Sequence, residues 1–138
     1  MRRSLLSLAL AAALGAAASD GLAQETSPPG EPFRKVSDLV ELPEFLPGLG
    51  VLYVDPATLP AGPFLAFDRD GELQSTMYMI PLAALNDQRA FTGLGAADAA
   101  VDHVDVVYNA GHPGVAEPHY HVILWHVSAE TAGRLAAR

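Results

Sequence analysis

Cysteine is absent from the 138 residues, and this removes disulfides, thiolate nucleophiles and thiolate metal ligands together. A fold without disulfides relies on packing, assembly or a bound ligand, even in an oxidising compartment. Any metal site is confined to His, Asp, Glu, Met and water, which restricts both its geometry and the metals it favours. Basic residues are also scarce, with 8 Lys and Arg against 16 Asp and Glu. Beyond residue 23 the balance is six basic against fifteen acidic, a formal charge near −9. Nucleic acid is excluded as a partner on this count, because phosphate contacts need clustered Lys and Arg that release counterions. Anionic membrane surfaces and anionic substrates are disfavoured over long range, whereas cations are attracted.

Long apolar runs are lacking apart from one, Leu5 to Ala18, preceded by Arg2 and Arg3 and followed by Gly21, Leu22 and Ala23. It is shorter than the roughly 20 strongly apolar residues that span a bilayer. The order positive, apolar, small is that of a cleavable secretory signal over residues 1–23. The working location is therefore expected to be periplasmic or secreted. No Cys follows the run to carry a lipid, and no second run could anchor the mature chain, so no membrane association is expected after cleavage. The remaining length suits one domain with one modest core.

Residues 24–35, QETSPPGEPFRK, are rich in Pro, Glu and Ser and read as a flexible tether. Residues 36–138 read as a single β-rich domain. Ser37 to Phe45 suggests a short helix capped by Ser37 and limited by Pro43. Gly50 to Val54, Phe64 to Phe67 and Leu73 to Ile80 are β-prone runs. Asp68-Arg69-Asp70-Gly71 links the last two through the positive φ angles that tight hairpins demand. Met77 and Met79 share one strand face, as core filler or as soft ligands. Pro81 to Leu85 opens a short helix, Asn86 to Ala100 is loop or weak helix, and Val101 to Tyr108 is a strand. The connection at 109–117 is rich in Gly and Pro, His119 to Val127 is a further strand, and Ser128 caps a C-terminal helix. The predicted class is mainly β, α+β in detail: a small antiparallel sheet or barrel with short peripheral helices.

All five histidines, at 103, 112, 119, 121 and 126, fall in the last third of the chain. In a strand, His119 and His121 share a face with Ile123 and Trp125, and on the preceding strand His103 and Asp105 share one. If the two strands pair so that odd-numbered residues oppose odd, three imidazoles and a carboxylate fall on one face. Such a set suits a divalent transition metal such as Zn or Cu, with the carboxylate as ligand or ring orienter. The candidate metal residues are therefore His119, His121, His103 and Asp105. The competing reading makes them ordinary strand residues, with His126 a hydrogen-bonded core histidine. His112, before Pro113, is a loop residue or an additional ligand. A His with a carboxylate partner is also a general base, yet no nucleophile stands in a recognisable context.

The stretch from Glu117 to Glu130, EPHYHVILWHVSAE, resembles the hallmark strand of the TTHB-like family of small bacterial domains of unknown function. That strand reads Pro, His, aromatic, Asp, aromatic, His, two aromatics, then a Val-Ser-x-Glu helix start. Gly50 to Pro56 and the Gly71 to Pro81 strand stand where the family has a Tyr-Val-Asp-Pro turn and a strand ending in Pro, so the resemblance runs from Leu49 to Glu130. His121 occupies the family's Asp position and Ile123 its second His, which weakens any transfer of a site. The resemblance implies a β-rich extracytoplasmic domain with no assigned activity. Cupin barrels share a His-x-His strand, but here Trp125 and His126 occupy the expected acidic positions and twelve residues follow His126, too few for a second His motif. The leading expectation is thus an exported domain that binds a transition metal or small polar ligand, leaning away from catalysis. The alternative is a non-catalytic interaction domain that forms homo-oligomers through sheet edges.

Overall fold

The computed structural model describes residues 26–137; the expected signal at 1–23 lies outside them. Seven strands form one antiparallel sheet: β1 (Arg34–Lys35), β2 (Phe45–Leu46), β3 (Gly50–Val54), β4 (Phe64–Phe67), β5 (Leu73–Pro81), β6 (His103–Asn109) and β7 (His119–Trp125). Their order is β1-β3-β4-β5-β7-β6, with β2 also paired to β3, so the sheet is open and mainly β as its sequence implies. The helices are short and peripheral: α1 (Leu82–Asn86) and α2 (Ala129–Gly133).

Alternation along the central strands creates two faces. Leu52, Val54, Phe64, Ala66, Met77, Met79, Ile123 and Trp125 pack on one face together with Leu135 from the chain end. Tyr53, Leu65 and Phe67 pack with Ala97 on the other. Both faces are covered at β3, β4 and β5, which explains why β4 is buried at all four positions. The β4–β5 hairpin turns at Asp68 to Gly71, where Asp68 Oδ1 accepts the Asp70 and Glu72 amides and Gly71 takes a φ of +83°. A bulge between Ala66 and Phe67 shifts the register beside this turn.

The expected helix at Ser37 to Phe45 is replaced by a three-residue 3-10 turn at Val36–Asp38 and an extended strap that ends in β2. The strap's side chains are better used as cover: Val36, Phe45, Leu46 and Leu49 pack on the first face of the sheet. Arg34 and Lys35, from the Pro-rich stretch, pair with Val54 and Tyr53. The α2 cap is as its sequence requires, with Ser128 Oγ accepting the Thr131 amide.

The loop between α1 and β6 lies across the second face and is fastened by polar contacts. Tyr78 donates its hydroxyl to the Gly95 carbonyl at 2.6 Å, and the Ala97 amide donates to Thr76 Oγ1 at 3.2 Å. His126 ties Thr76 to the loop a second time, with Nδ1 2.9 Å from the Ala100 carbonyl and Nε2 2.8 Å from Thr76 Oγ1. A carbonyl only accepts, so Nδ1 carries the proton and Nε2 accepts from the threonine hydroxyl. His126 is thereby a hydrogen-bonded structural histidine. His126→Ala removes both hydrogen bonds and is expected to cost about 1 kcal/mol in denaturant unfolding, with faster hydrogen exchange at the Ala97 amide. Unchanged exchange there would show that the loop is held by something else.

Candidate functional site

Strand β7 is buried at every odd position and half-buried at every even one. This alternation turns His119, His121, Ile123 and Trp125 to the first face, and His119 and His121 are 0% and 7% exposed. Two buried imidazoles need partners. His119 Nδ1 lies 2.7 Å from the Glu117 carbonyl, so it carries the proton and leaves Nε2 bare. That Nε2 stands 3.0 Å from His121 Nε2.

A third ring comes from the β6–β7 connection. His112 and Val115 exchange both backbone hydrogen bonds around Pro113 and Gly114, the arrangement of a tight turn with Pro at its second position and a positive-φ Gly at its third. Gly114 has a φ of +88°, and a Cβ there would sit 2.9 Å from Val40. At Gly111, with a φ of +127°, a Cβ would sit 2.5 Å from the Ala116 carbonyl oxygen. Glycine at both places lets the turn fold back against the strap and onto β7. His112 Nδ1 lies 2.9 Å from the Pro113 carbonyl, which leaves Nε2 as its free nitrogen. Its ring centroid is 4.9 Å from that of His119 and 5.8 Å from that of His121. The ligand atoms of His112, His119 and His121 all lie within 4.8 Å of one another.

His121 is held uncharged. Burial, then the neighbouring His119 and His112, lowers the pKa of His121 from 6.5 to about 4. Neutral imidazole is the form that binds metals. Two nitrogens at 2.0–2.1 Å from one ion stand roughly 3.0–3.4 Å apart at ordinary coordination angles, which fits the spacing of His119 and His121. The Glu117 and Pro113 carbonyls fix the tautomers of two rings, as outer partners do around bound metals.

The other two candidates lie elsewhere. The β6–β7 register does place odd opposite odd, but it sets His103 against Trp125, Asp105 against Ile123 and Val107 against His121. His103 and Asp105 are therefore displaced along the sheet from His119 and His121. His103 stacks on Trp125, with centroids 5.9 Å apart, and bonds Asp102 at 2.8 Å. Asp105 accepts the Trp125 indole N–H at 2.8 Å. The structure brings His119 and His121 together and supplies His112 in place of that pair. The available signal for His112 was the Gly-His-Pro-Gly text, whose turn chemistry reverses the chain directly after the ring. Met77 and Met79 belong to the core, and Met79 stands opposite His121 in the β5–β7 pairing.

Fold and site together define a small domain built on one open antiparallel sheet, with a buried imidazole pair under a Pro-Gly turn. The crystal structure of hypothetical protein TTHB210 from Thermus thermophilus is similar at 44% sequence identity and a TM-score of 0.64, covering 70% of this chain and 94% of that one. The chain belongs to the family of that protein. No family model and no curated protein matches it.

His121 has a consequence for acid stability. Its folded pKa is depressed below the unfolded 6.5, so the unfolded chain binds the extra proton first as pH falls. Stability of the metal-free protein is expected to be full above about pH 6.5 and to fall toward about pH 4, by on the order of 2 kcal/mol, and then level off. A His121→Leu variant should lose most of this slope in urea midpoints measured across that range; an equal slope in both proteins contradicts the assignment.

Proposed function

We propose that the protein is an exported domain that holds one divalent transition metal through His112, His119 and His121. The observation that carries this reading is the convergence of the three rings, two of them with Nδ1 committed to a backbone carbonyl. His119 and His121 provide a fixed pair on rigid strand, and His112 closes the set from its turn. Three neutral imidazoles suit Zn, Cu, Ni or Fe(II). A metal with three protein ligands keeps a position for water or another molecule and acts there as a Lewis acid. The acidic surface draws cations toward the domain. Asp105 and His103 serve the Trp125 contact in this scheme and do not ligate.

A second reading is favoured by a separate observation. Strand β6 lies at the sheet edge with Val104, Val106, Val107 and Tyr108 about half exposed or more, at 54%, 62%, 49% and 52%. Exposed β-branched edges invite pairing with another chain. A homo-oligomer formed through this edge is compatible with metal binding. Among the described residues no helix is long and apolar enough to cross a membrane.

The decisive experiment is metal analysis of the full chain purified without a histidine tag, paired with thermal unfolding on adding Zn2+ or Cu2+. One metal per chain is expected, with about 2.7 kcal/mol of added stability when free metal is 100 times the dissociation constant. The His119→Ala/His121→Ala protein should gain none. Gly114→Ala leaves all three histidines in place but strains the turn under His112, and is expected to weaken binding about 10–100-fold. Absence of metal from the wild type, with no melting shift, retires the reading.

A further inference from the structure

Among the described residues, the first face of the sheet is not filled beside the histidines. A cavity of about 340 Å³ lies between the strap at 36–49, strands β3 to β5 and the His112 turn. Its walls are apolar, with Val40, Leu42, Leu52, Val54, Phe64 and Met77 among them. The polar side chains lining it are Asn109, His112 and His121. These belong to one corner of the molecule: Asn109 ends β6 opposite His119, and His112 and His121 belong to the histidine cluster. The cavity therefore has an apolar body and one polar end.

Charge decides what can occupy it. Imidazoles that ligate a metal do so in the neutral form, and among the described residues no carboxylate joins the ligand group. A divalent ion held there keeps its full charge next to an apolar cavity, and a desolvated charge without a counter-charge is costly. An anion in the open coordination position removes that cost. The acidic surface that repels free anions at long range is outweighed at this point by a dication in direct contact. The volume corresponds to roughly eleven water-sized groups, at about 30 Å³ each, and lies within the usual range of small-molecule pockets.

We infer that this cavity takes an unbranched medium-chain carboxylate of about eight to ten carbons, with its tail along the apolar wall and its carboxylate on the metal at His112 and His121. The inference rests on the three-histidine metal reading. Fatty acids and other amphiphiles with one anionic head share the chemistry. An entirely apolar guest leaves the polar end and the ion uncompensated, and a small polar anion leaves the apolar walls wet.

The test uses full-length protein loaded with Co2+, whose visible absorption reports its ligands, titrated with acetate, butanoate, octanoate, decanoate and decanol. Saturable spectral change by decanoate is expected, with affinity rising about fourfold per methylene from butanoate until the cavity is full. Metal-free protein should bind decanoate at least about tenfold more weakly than Co2+-loaded protein. Decanol should leave the cobalt spectrum unchanged. The inference is overturned if affinity is independent of chain length, if decanoate binds without altering the spectrum, or if removing the metal leaves its affinity unchanged. A protein that takes up no Co2+ removes the metal reading itself and this inference with it; one that binds Co2+ but ignores decanoate removes this inference alone.

Discussion

The period-two alternation of β7 is the constraint on which the rest of the molecule depends. It forces His119 and His121 to the same side as Ile123 and Trp125, and pairing with β5 on one flank and β6 on the other leaves no freedom to rotate them out. Register on the β5 side sets Met77 against Ile123 and Met79 against His121, so the imidazoles stand at the end of a continuous apolar row. A slip of one residue in either pairing would place Tyr120 and Val122 inside and both histidines outside. The identity of the site is therefore a property of strand register more than of local sequence.

The connection at 110–118 converts that strand feature into a cluster. Gly111 and Gly114 occupy positive-φ positions where a Cβ would strike backbone or Val40, and Pro113 presets the turn between them. The same close approach that brings His112 to β7 brings the turn against the strap at Val40, so one short loop both completes the histidine set and roofs the apolar cavity. Loops held this firmly are suited to carry functional side chains on a rigid scaffold.

Much of this was legible in the residues. The β4–β5 hairpin, the N-cap of the C-terminal helix at Ser128 and the shared face of His119 and His121 all follow from local rules with periods of two and from turn chemistry. The register of β6 against β7 did not: β6 is exposed at all five of its middle positions, so its alternation sets neither parity nor offset, and both depend on the length and path of the 110–118 connection. The offset carries Asp105 to the Trp125 indole and lets His112 take its place. The strap failed as a helix for a similar reason: its local propensity favours helix, but Val36, Leu46 and Leu49 gain more by lying flat on the sheet, and tertiary burial outweighs propensity.

The buried pair itself is hard to explain as a device for stability. Both rings are satisfied by hydrogen bonds, and Ser75 Oγ is the buried side-chain polar atom without a partner among the described residues, so polar satisfaction is not at fault. Yet burial drives the His121 pKa down to about 4, which lowers stability in mild acid. Leucine or isoleucine at 119 and 121 would extend the Ile123 and Trp125 row with no such penalty, since replacing buried polar groups by packed apolar ones is commonly neutral or stabilising. Two positions that oppose the simplest packing solution are joined by a third ring on a turn requiring two special glycines, and this is the observation on which the proposed metal site rests. Departures from local packing logic of this kind concentrate at functional sites.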